Sequence, residues 1–212
     1  NTITFLSILK GCCSTNDLKM GHKVHTDVVK HGFEREFYID SALVCMYSKC
    51  QSLSEAEKVF QQLLFRDPVV WTALISGYSE IGLGEKALMC LDQMQLDGQI
   101  PNAITYGCGL KACLCNRLID KVREIHGEIV KEEFENDPYV GKVLVDAYGQ
   151  CASVMEAQEV FDALLVRDIV SWNALVSGYV DHGYSKEAVD CYELMQLEGV
   201  SPDSITFACT LK

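Results

Sequence analysis

Apolar residues recur at helical spacing along the whole chain, and the recurrence is itself repeated. Trp71, Leu74, Ile75 and Tyr78 fall at i, i+3, i+4 and i+7, and so do Trp172, Leu175, Val176 and Tyr179. Each set is one apolar stripe on a helix. A second stripe precedes or follows each: Ala56, Val59, Phe60, Leu63; Ala87, Cys90, Leu91, Met94; Ala157, Val160, Phe161, Leu164; and Ala188, Cys191, Tyr192, Met195. Turn signals lie between the stripes. Ser52 with Glu55, Ser54 with Glu57, and Ser153 with Glu156 have capping-box spacing, and Gly82-Leu83-Gly84 and Gly183 interrupt the helical pattern. Pro68, Pro101, Pro138 and Pro202 stand at or beside the ends of repeats, where a helix must stop. No strand-like alternation bounded by hairpin turns survives. The pattern predicts an all-α chain of paired helices.

The pairs keep a register of 101 residues. Asn1-Thr2-Ile3-Thr4-Phe5 returns as Asn102-Ala103-Ile104-Thr105-Tyr106 and again as Asp203-Ser204-Ile205-Thr206-Phe207. Trp71 and Trp172, Phe60 and Phe161, Cys50 and Cys151, and His25 and His126 share that offset. Within it lie smaller units of 35, 31 and 35 residues: a long unit 2–36, a short unit 37–67 and a standard unit 68–102, then 103–137, 138–168 and 169–203 in the same order. A seventh starts at Ser204 and is truncated within 204–212. A single-core enzyme has no reason to hold such a register, whereas stacked repeats do, because each packs on the next in the same way. The expectation is one helical-hairpin solenoid over 1–212 with no separate domains, excerpted from a longer array.

Composition narrows the function. The net charge is −12 and uneven: residues 1–101 carry 9 basic and 12 acidic side chains, residues 102–202 carry 8 and 17. A strong non-specific grip on phosphates is not expected from such a chain. No apolar run approaches the ~18 residues of a membrane span, and no signal or transit peptide is visible, which in an excerpt says nothing of the parent protein. Eight of the eleven cysteines follow the repeat (Cys12 with Cys113, Cys50 with Cys151, Cys90 with Cys191, Cys108 with Cys209). Recurrence at one helical position marks a small buried apolar residue and implies a reducing compartment.

Candidate chemistry fails on inspection. His22 and His25 could share a metal, but the next cycle has Arg123 and His126, and no third ligand is in view. His126-Gly127-Glu128 matches half of a zinc deaminase signature and lacks the Pro-Cys-x-x-Cys half; packing between repeats is the plainer reading of His25 and His126. The carboxylates Glu124, Glu128, Glu132, Glu133, Glu135 and Asp137 read as a solvated helix end. No phosphate loop or nucleophile elbow is present. No catalytic constellation, cofactor or metal is expected.

Val69-Val70-Trp71-Thr72-Ala73-Leu74-Ile75-Ser76-Gly77-Tyr78 and its counterpart from Val170 to Tyr179 resemble the first helix of a pentatricopeptide repeat. Gly98-Gln99-Ile100-Pro101-Asn102 and Gly199-Val200-Ser201-Pro202-Asp203 resemble its closing loop, and long, short and standard units in rotation resemble the plant PLS subclass. The resemblance implies a right-handed superhelical solenoid that binds single-stranded RNA, one base per repeat. It implies the target-recognition tract of a C-to-U editing factor in a mitochondrion or chloroplast. Editing-accessory proteins docking on the long units are implied as further partners. The acidic surface keeps a protein-binding scaffold of the tetratricopeptide type as the alternative, although that type holds a uniform 34-residue period.

In that family the fifth and last residues of a unit read the base edge and the second residue sandwiches the base. Carried over, Ser41 with Asp67 implies G, Thr72 with Asn102 implies A, and Asn173 with Asp203 implies U. Lys142 with Asp168, Leu6 with Glu36, and Gly107 with Asp137 imply no definite base. Lys142 would instead neutralise Asp168 or touch a phosphate. Ile3, Tyr38, Val69, Ile104, Tyr139, Val170 and Ile205 would be the sandwiching residues. Lys49 alone occupies the thirteenth position, where the family places a phosphate-facing lysine; the others there are Ser14, Glu80, Cys115, Gln150 and Asp181. The implied register, 5′ to 3′, is undefined-G-A-undefined-undefined-U.

Overall fold

The computed structural model describes residues 1–210; Leu211 and Lys212, at the end of the truncated seventh repeat, lie outside the described residues. Among the described residues there are thirteen α-helices and no strand. They are α1 (Thr2–Thr15), α2 (Leu18–Lys30), α3 (Phe37–Lys49), α4 (Leu53–Gln62), α5 (Pro68–Glu80), α6 (Gly84–Leu96), α7 (Ala103–Leu114), α8 (Ile119–Lys131), α9 (Pro138–Gln150), α10 (Val154–Ala163), α11 (Ile169–Asp181), α12 (Ser185–Leu197) and α13 (Ser204–Thr210). Close contacts gather into two compact units, Asn1–Cys108 and Gly109–Lys212. In the first, α1, α3 and α5 lie side by side, and α2, α4 and α6 each pack on the helix before them. In the second, α9, α11 and α13 lie side by side, with α10 on α9 and α12 on α11.

The recurring aromatic pair anchors each unit. Trp71 meets Phe60 edge-on at 4.6 Å between centroids, and Trp172 meets Phe161 at 4.5 Å. Arg66 and Arg167 cover the two phenylalanines at 4.8 and 5.1 Å. Both tryptophans are buried, so they fill the core between the second helix of one repeat and the first helix of the next. Each indole N–H lacks a hydrogen-bond partner. An unsatisfied buried donor costs about 1–3 kcal/mol, less than burying so large a ring and its edge-on contact contribute.

Helix ends follow local chemistry. Pro68 and Pro138 occupy the first turns of α5 and α9, where a missing N–H is harmless. Gly82, Gly98, Gly183 and Gly199 hold the left-handed backbone (φ 73 to 81°) that reverses the chain after a helix. The long and short repeats place Asn16, Gln51, Arg117, Glu133 and Ala152 in the same conformation. The capping boxes do not form as spaced. Ser52 and Ser153 are the N-caps of α4 and α10, yet neither side chain accepts a backbone N–H. Their hydroxyls donate to Glu55 and Glu156, because those carboxylates are stronger acceptors. Ser54 lies inside α4 and also donates to Glu55, while Glu57 takes the Tyr78 hydroxyl and Lys86.

The short repeats have shorter second helices: α4 and α10 are ten residues, against thirteen in α2, α6, α8 and α12. Against α4 lies a pocket of about 740 Å³ bordered by Val29, Phe37, Val59 and Leu63, and against α10 one of about 240 Å³ bordered by Leu144, Val160 and Leu164. At their rims His25 meets the Tyr47 hydroxyl at 2.8 Å and His126 meets Tyr148 at 2.9 Å. His22 also reaches Tyr47, at 3.2 Å. The histidines pack between repeats.

Candidate nucleic-acid interface

Except for Glu36, the last residue of each complete repeat caps the next first helix. Asp67 Oδ1 accepts the Val70 N–H at 2.9 Å, Asn102 Oδ1 the Thr105 N–H at 3.0 Å, and Asp137 Oδ1 those of Tyr139 and Val140. Asp168 Oδ1 accepts from Ser171 at 3.1 Å, and Asp203 Oδ1 from Ile205 and Thr206 at 2.9 Å. Asn and Asp are among the best N-caps, and a carboxylate there also meets the positive end of the helix. Glu36 precedes α3 but makes no cap bond; its carboxylate takes the Thr2 hydroxyl at 3.0 Å. Glutamate, one methylene longer, is not among the preferred N-caps as Asp is.

The fifth residues differ more. Thr72 Oγ1 lies 2.6 Å from both the Pro68 carbonyl and Thr105 Oγ1, and Thr105 in turn donates to Asn102 Oδ1 at 3.1 Å. Asn173 is longer and reaches its partner directly, its amide N–H donating to Asp203 Oδ1 at 3.1 Å, while its carbonyl accepts from Thr206 Oγ1 at 2.6 Å. Asn173 is buried, and its amide is engaged at both ends. The backbone N–H of Thr206, then Asn173 and the Thr206 hydroxyl, hold the Asp203 carboxyl below the usual aspartate range against partial desolvation. Lys142 Nζ contacts Asp168 Oδ2 at 2.6 Å. Desolvation pushes the Asp168 carboxyl up, but Lys142 and Ser171 outweigh it and leave it lowered. Ser41 donates to its own helix at Phe37, 2.7 Å. Leu6 is half-buried and Gly107 buried.

All seven second residues are exposed. Within the first unit Ile3, Tyr38, Val69 and Ile104 show 58 to 74% of their surface; within the second Tyr139, Val170 and Ile205 show 39 to 58%. In the first unit two of them rim a cleft. Val69 and Ile104 line it with Thr72, Asn102, Lys49 and Glu80 around a volume of about 360 Å³, within the usual size of a ligand site. An apolar rim over a hydroxyl and an amide suits a flat ring with polar edges. Cys45 also lines the cleft, and burial pushes its thiol up to about 11, so it stays protonated and inert at neutral pH. Lys49 Nζ is held by Glu80 Oε1 at 2.9 Å. That bond raises the Lys49 ammonium above its ordinary value.

Two residues escaped the sequence reading. Thr105 and Thr206 are fully buried and tie each fifth residue to its last residue. The register carries their signal: Thr4, Thr105 and Thr206 hold one place in the 101-residue repeat, and Thr4 bonds Asn1 in the same way. Among the described residues no group of three or more His, Cys, Asp or Glu is placed to hold a metal ion, and no helix is long and apolar enough to cross a membrane.

Residues 66–116 and 167–212 match the PPR repeat family. The chain is 38% identical over 211 residues to the Arabidopsis thaliana pentatricopeptide repeat-containing protein At4g18520, chloroplastic, covering 100% of this chain and 34% of that protein. It is 36% identical to At4g25270, chloroplastic, from the same plant, covering 98% of this chain and 40% of the relative. At2g33680, again from Arabidopsis, is 36% identical, with 96% of this chain and 28% of the relative covered. The chain therefore spans about a third of the length of the curated relatives it matches. The crystal structure of the pentatricopeptide repeat protein PPR10 in complex with an 18-nt psaJ RNA element superposes with a TM-score of 0.79 at 20% identity, over 100% of this chain and 32% of that one. That likeness establishes the fold, a solenoid of helical repeats.

Proposed function

We propose that this chain of PPR-family repeats binds single-stranded RNA, reading one base per repeat, as the address-reading tract of a PLS-type C-to-U editing factor. The observation that carries the reading is the first-unit cleft, where Val69 and Ile104 stand exposed over Thr72 and Asn102. A base held there has apolar contact on its faces, worth about 1–3 kcal/mol, and polar atoms at its edge that specify it. Asn173 with Asp203 supplies the second defined reader, for U; the buried Asn173 amide gives up one of its bonds to Asp203 and Thr206 when it takes the base edge. Ser41 with Asp67 supplies G. The Lys142–Asp168 ion pair replaces an ordinary reading pair, and that base is undefined. The work is binding; no catalytic step falls to these residues. The setting is a plant organelle, mitochondrion or chloroplast, supported by relatives named chloroplastic. Accessory proteins dock on the long repeats in this reading.

The test is an anisotropy titration with an RNA carrying G, A and U in the implied register and a scrambled control. Wild-type chain prefers the register RNA. Thr72→Asn combined with Asn102→Asp rebuilds the Asn173/Asp203 pair and moves preference at that base from A to U, by about tenfold on the ~1–3 kcal/mol scale of a good edge contact. Unchanged preference for A overturns the assignment. A second reading, a protein-binding scaffold, draws on the charge of −12. It is favoured if register and scrambled RNA bind equally weakly at low salt.

A further inference from the structure

The cleft contains its own counter-ion. Lys49 ends α3 and Glu80 ends α5, each the thirteenth residue of its repeat, and their side chains meet at 2.9 Å while both stay about half exposed. Ser76 Oγ donates to the same Glu80 oxygen at 3.1 Å and so holds the carboxylate toward Lys49. Both charged groups line the cleft that also holds Val69, Thr72, Asn102 and Ile104.

Helix stability does not explain Glu80. A carboxylate in the last turn faces the negative end of the helix and is disfavoured there, whereas Lys49 is favoured. Nor is the pair a strong staple, since an ion pair this exposed contributes little to stability. What the pair does is occupy the one lysine at this position of the repeats. The next cycle has Gln150 and Asp181 in the two places: the carboxylate is kept and the cation is lost.

Building on the RNA reading above, we propose that Glu80 sets the affinity of the cleft by competing with an RNA phosphate for the Lys49 ammonium. Binding exchanges one anion for another: the Glu80 carboxylate swings out to water, and a phosphate oxygen takes its place on Nζ. Most of the attraction between Lys49 and RNA is thereby cancelled, and the salt dependence of binding is shallow at this repeat.

The experiment titrates the intact chain with the register RNA and the scrambled RNA at several salt concentrations, as wild type, Glu80→Gln, Lys49→Met, the double variant and Asp181→Asn. Glu80→Gln is expected to tighten register-RNA binding by roughly threefold to tenfold, and to steepen the log–log salt slope by up to about 0.7, the increment for one single-strand phosphate. Asp181→Asn, which removes the same charge where Gln150 stands in the place of Lys49, shifts affinity by less than about twofold. In the double variant the gain vanishes. Unchanged affinity in Glu80→Gln overturns the proposal. So does an equal gain in Asp181→Asn, or a gain that persists without Lys49, because either makes the effect one of overall charge. Equal binding of register and scrambled RNA by wild type sinks the RNA reading itself, and this proposal with it.

Discussion

Thr72, Asn102 and Thr105 in the first cycle and Asn173, Asp203 and Thr206 in the second hold the same three places and solve the same problem with different atoms. The threonine hydroxyl reaches its last residue only through Thr105, whereas the asparagine amide touches Asp203 directly. Beneath both, the tryptophan–phenylalanine pair is reproduced to within 0.1 Å in centroid distance. Apolar register is held because, within each unit, a repeat packs on its neighbour through it. The polar letters vary because an N-cap accepts Asn or Asp almost equally, and the fifth residue has only to satisfy its own hydrogen bonds. A reader of sequence can change at little cost when its variable atoms are separated from its core in this way.

The largest test of that separation lies in the core. Trp71→Ala and Trp172→Ala should each lower stability by about 3–5 kcal/mol, read as the urea midpoint, although the letters above them differ. A variant at one site that is tolerated while its counterpart unfolds would show that the two cycles are not packed alike. The glycine contacts already show a local difference. A Cβ at Gly178 would sit 3.0 Å from the Gly149 Cα, backbone that cannot yield, whereas one at Gly77 would meet a movable Leu53 methyl at 2.7 Å and Ser48 Cβ at 3.2 Å.

The turns give a smaller effect of opposite sign between cycles. Gly32 follows α2 at φ 73°, and Glu133 follows α8 at φ 62°. A side chain in the left-handed region costs about 1–2 kcal/mol, so Glu133→Gly should raise stability by about 1 kcal/mol and Gly32→Glu lower it by a similar amount. Equal and small changes in both would mean that Glu133 recovers the strain through contacts of its own.

These elements also mark what could be read from sequence. The helices were legible because Trp71, Leu74, Ile75 and Tyr78 keep a strict period, and their ends were legible wherever Pro or Gly stood. Gln51, Glu133 and Ala152 turn the chain with no residue signal, since only their place in the repeat dictates φ. Capping spacing at Ser52 and Ser153 carried no information on which atom donates, and Glu55 and Glu156 took the hydroxyls. The reading positions could be counted from the register. The contact of Lys142 with Asp168, 26 residues on, is among the expectations, because the family resemblance couples those two positions. The Lys49–Glu80 pair, 31 residues apart, is not, because only the stacking of first helices brings those two side chains together. Thr105 and Thr206 look like ordinary helix residues until Asn102 and Asp203 are seen to cap on them.

The smallest expected difference between the cycles is in their response to acid. Burial lowers the affinity of His25 for a proton, and His22, which shares the Tyr47 hydroxyl, lowers it further, while Glu34 opposes both. Burial also lowers that of His126, but there Glu156 opposes it and Arg123 stands where His22 would be, held by Glu156 at 2.8 Å. A histidine kept neutral in the fold contributes stability that is complete above its unfolded pKa of about 6.5 and is lost progressively as pH falls from there through the lower folded pKa, because the unfolded chain takes the proton first. Glu55 lies beside the first site but is held near 2 by the hydroxyls of Ser54 and Ser52, so it does not titrate in this window. Urea midpoints at pH 7.5 and 5.5 should therefore fall with acid for wild type. His25→Gln should flatten that fall more than His126→Gln, since the first histidine has a like-charged neighbour and the second a carboxylate. A larger flattening at His126 would mean that the Arg123 charge reaches the imidazole despite its pairing, and that the two junctions, alike in packing, differ in electrostatics in the opposite sense.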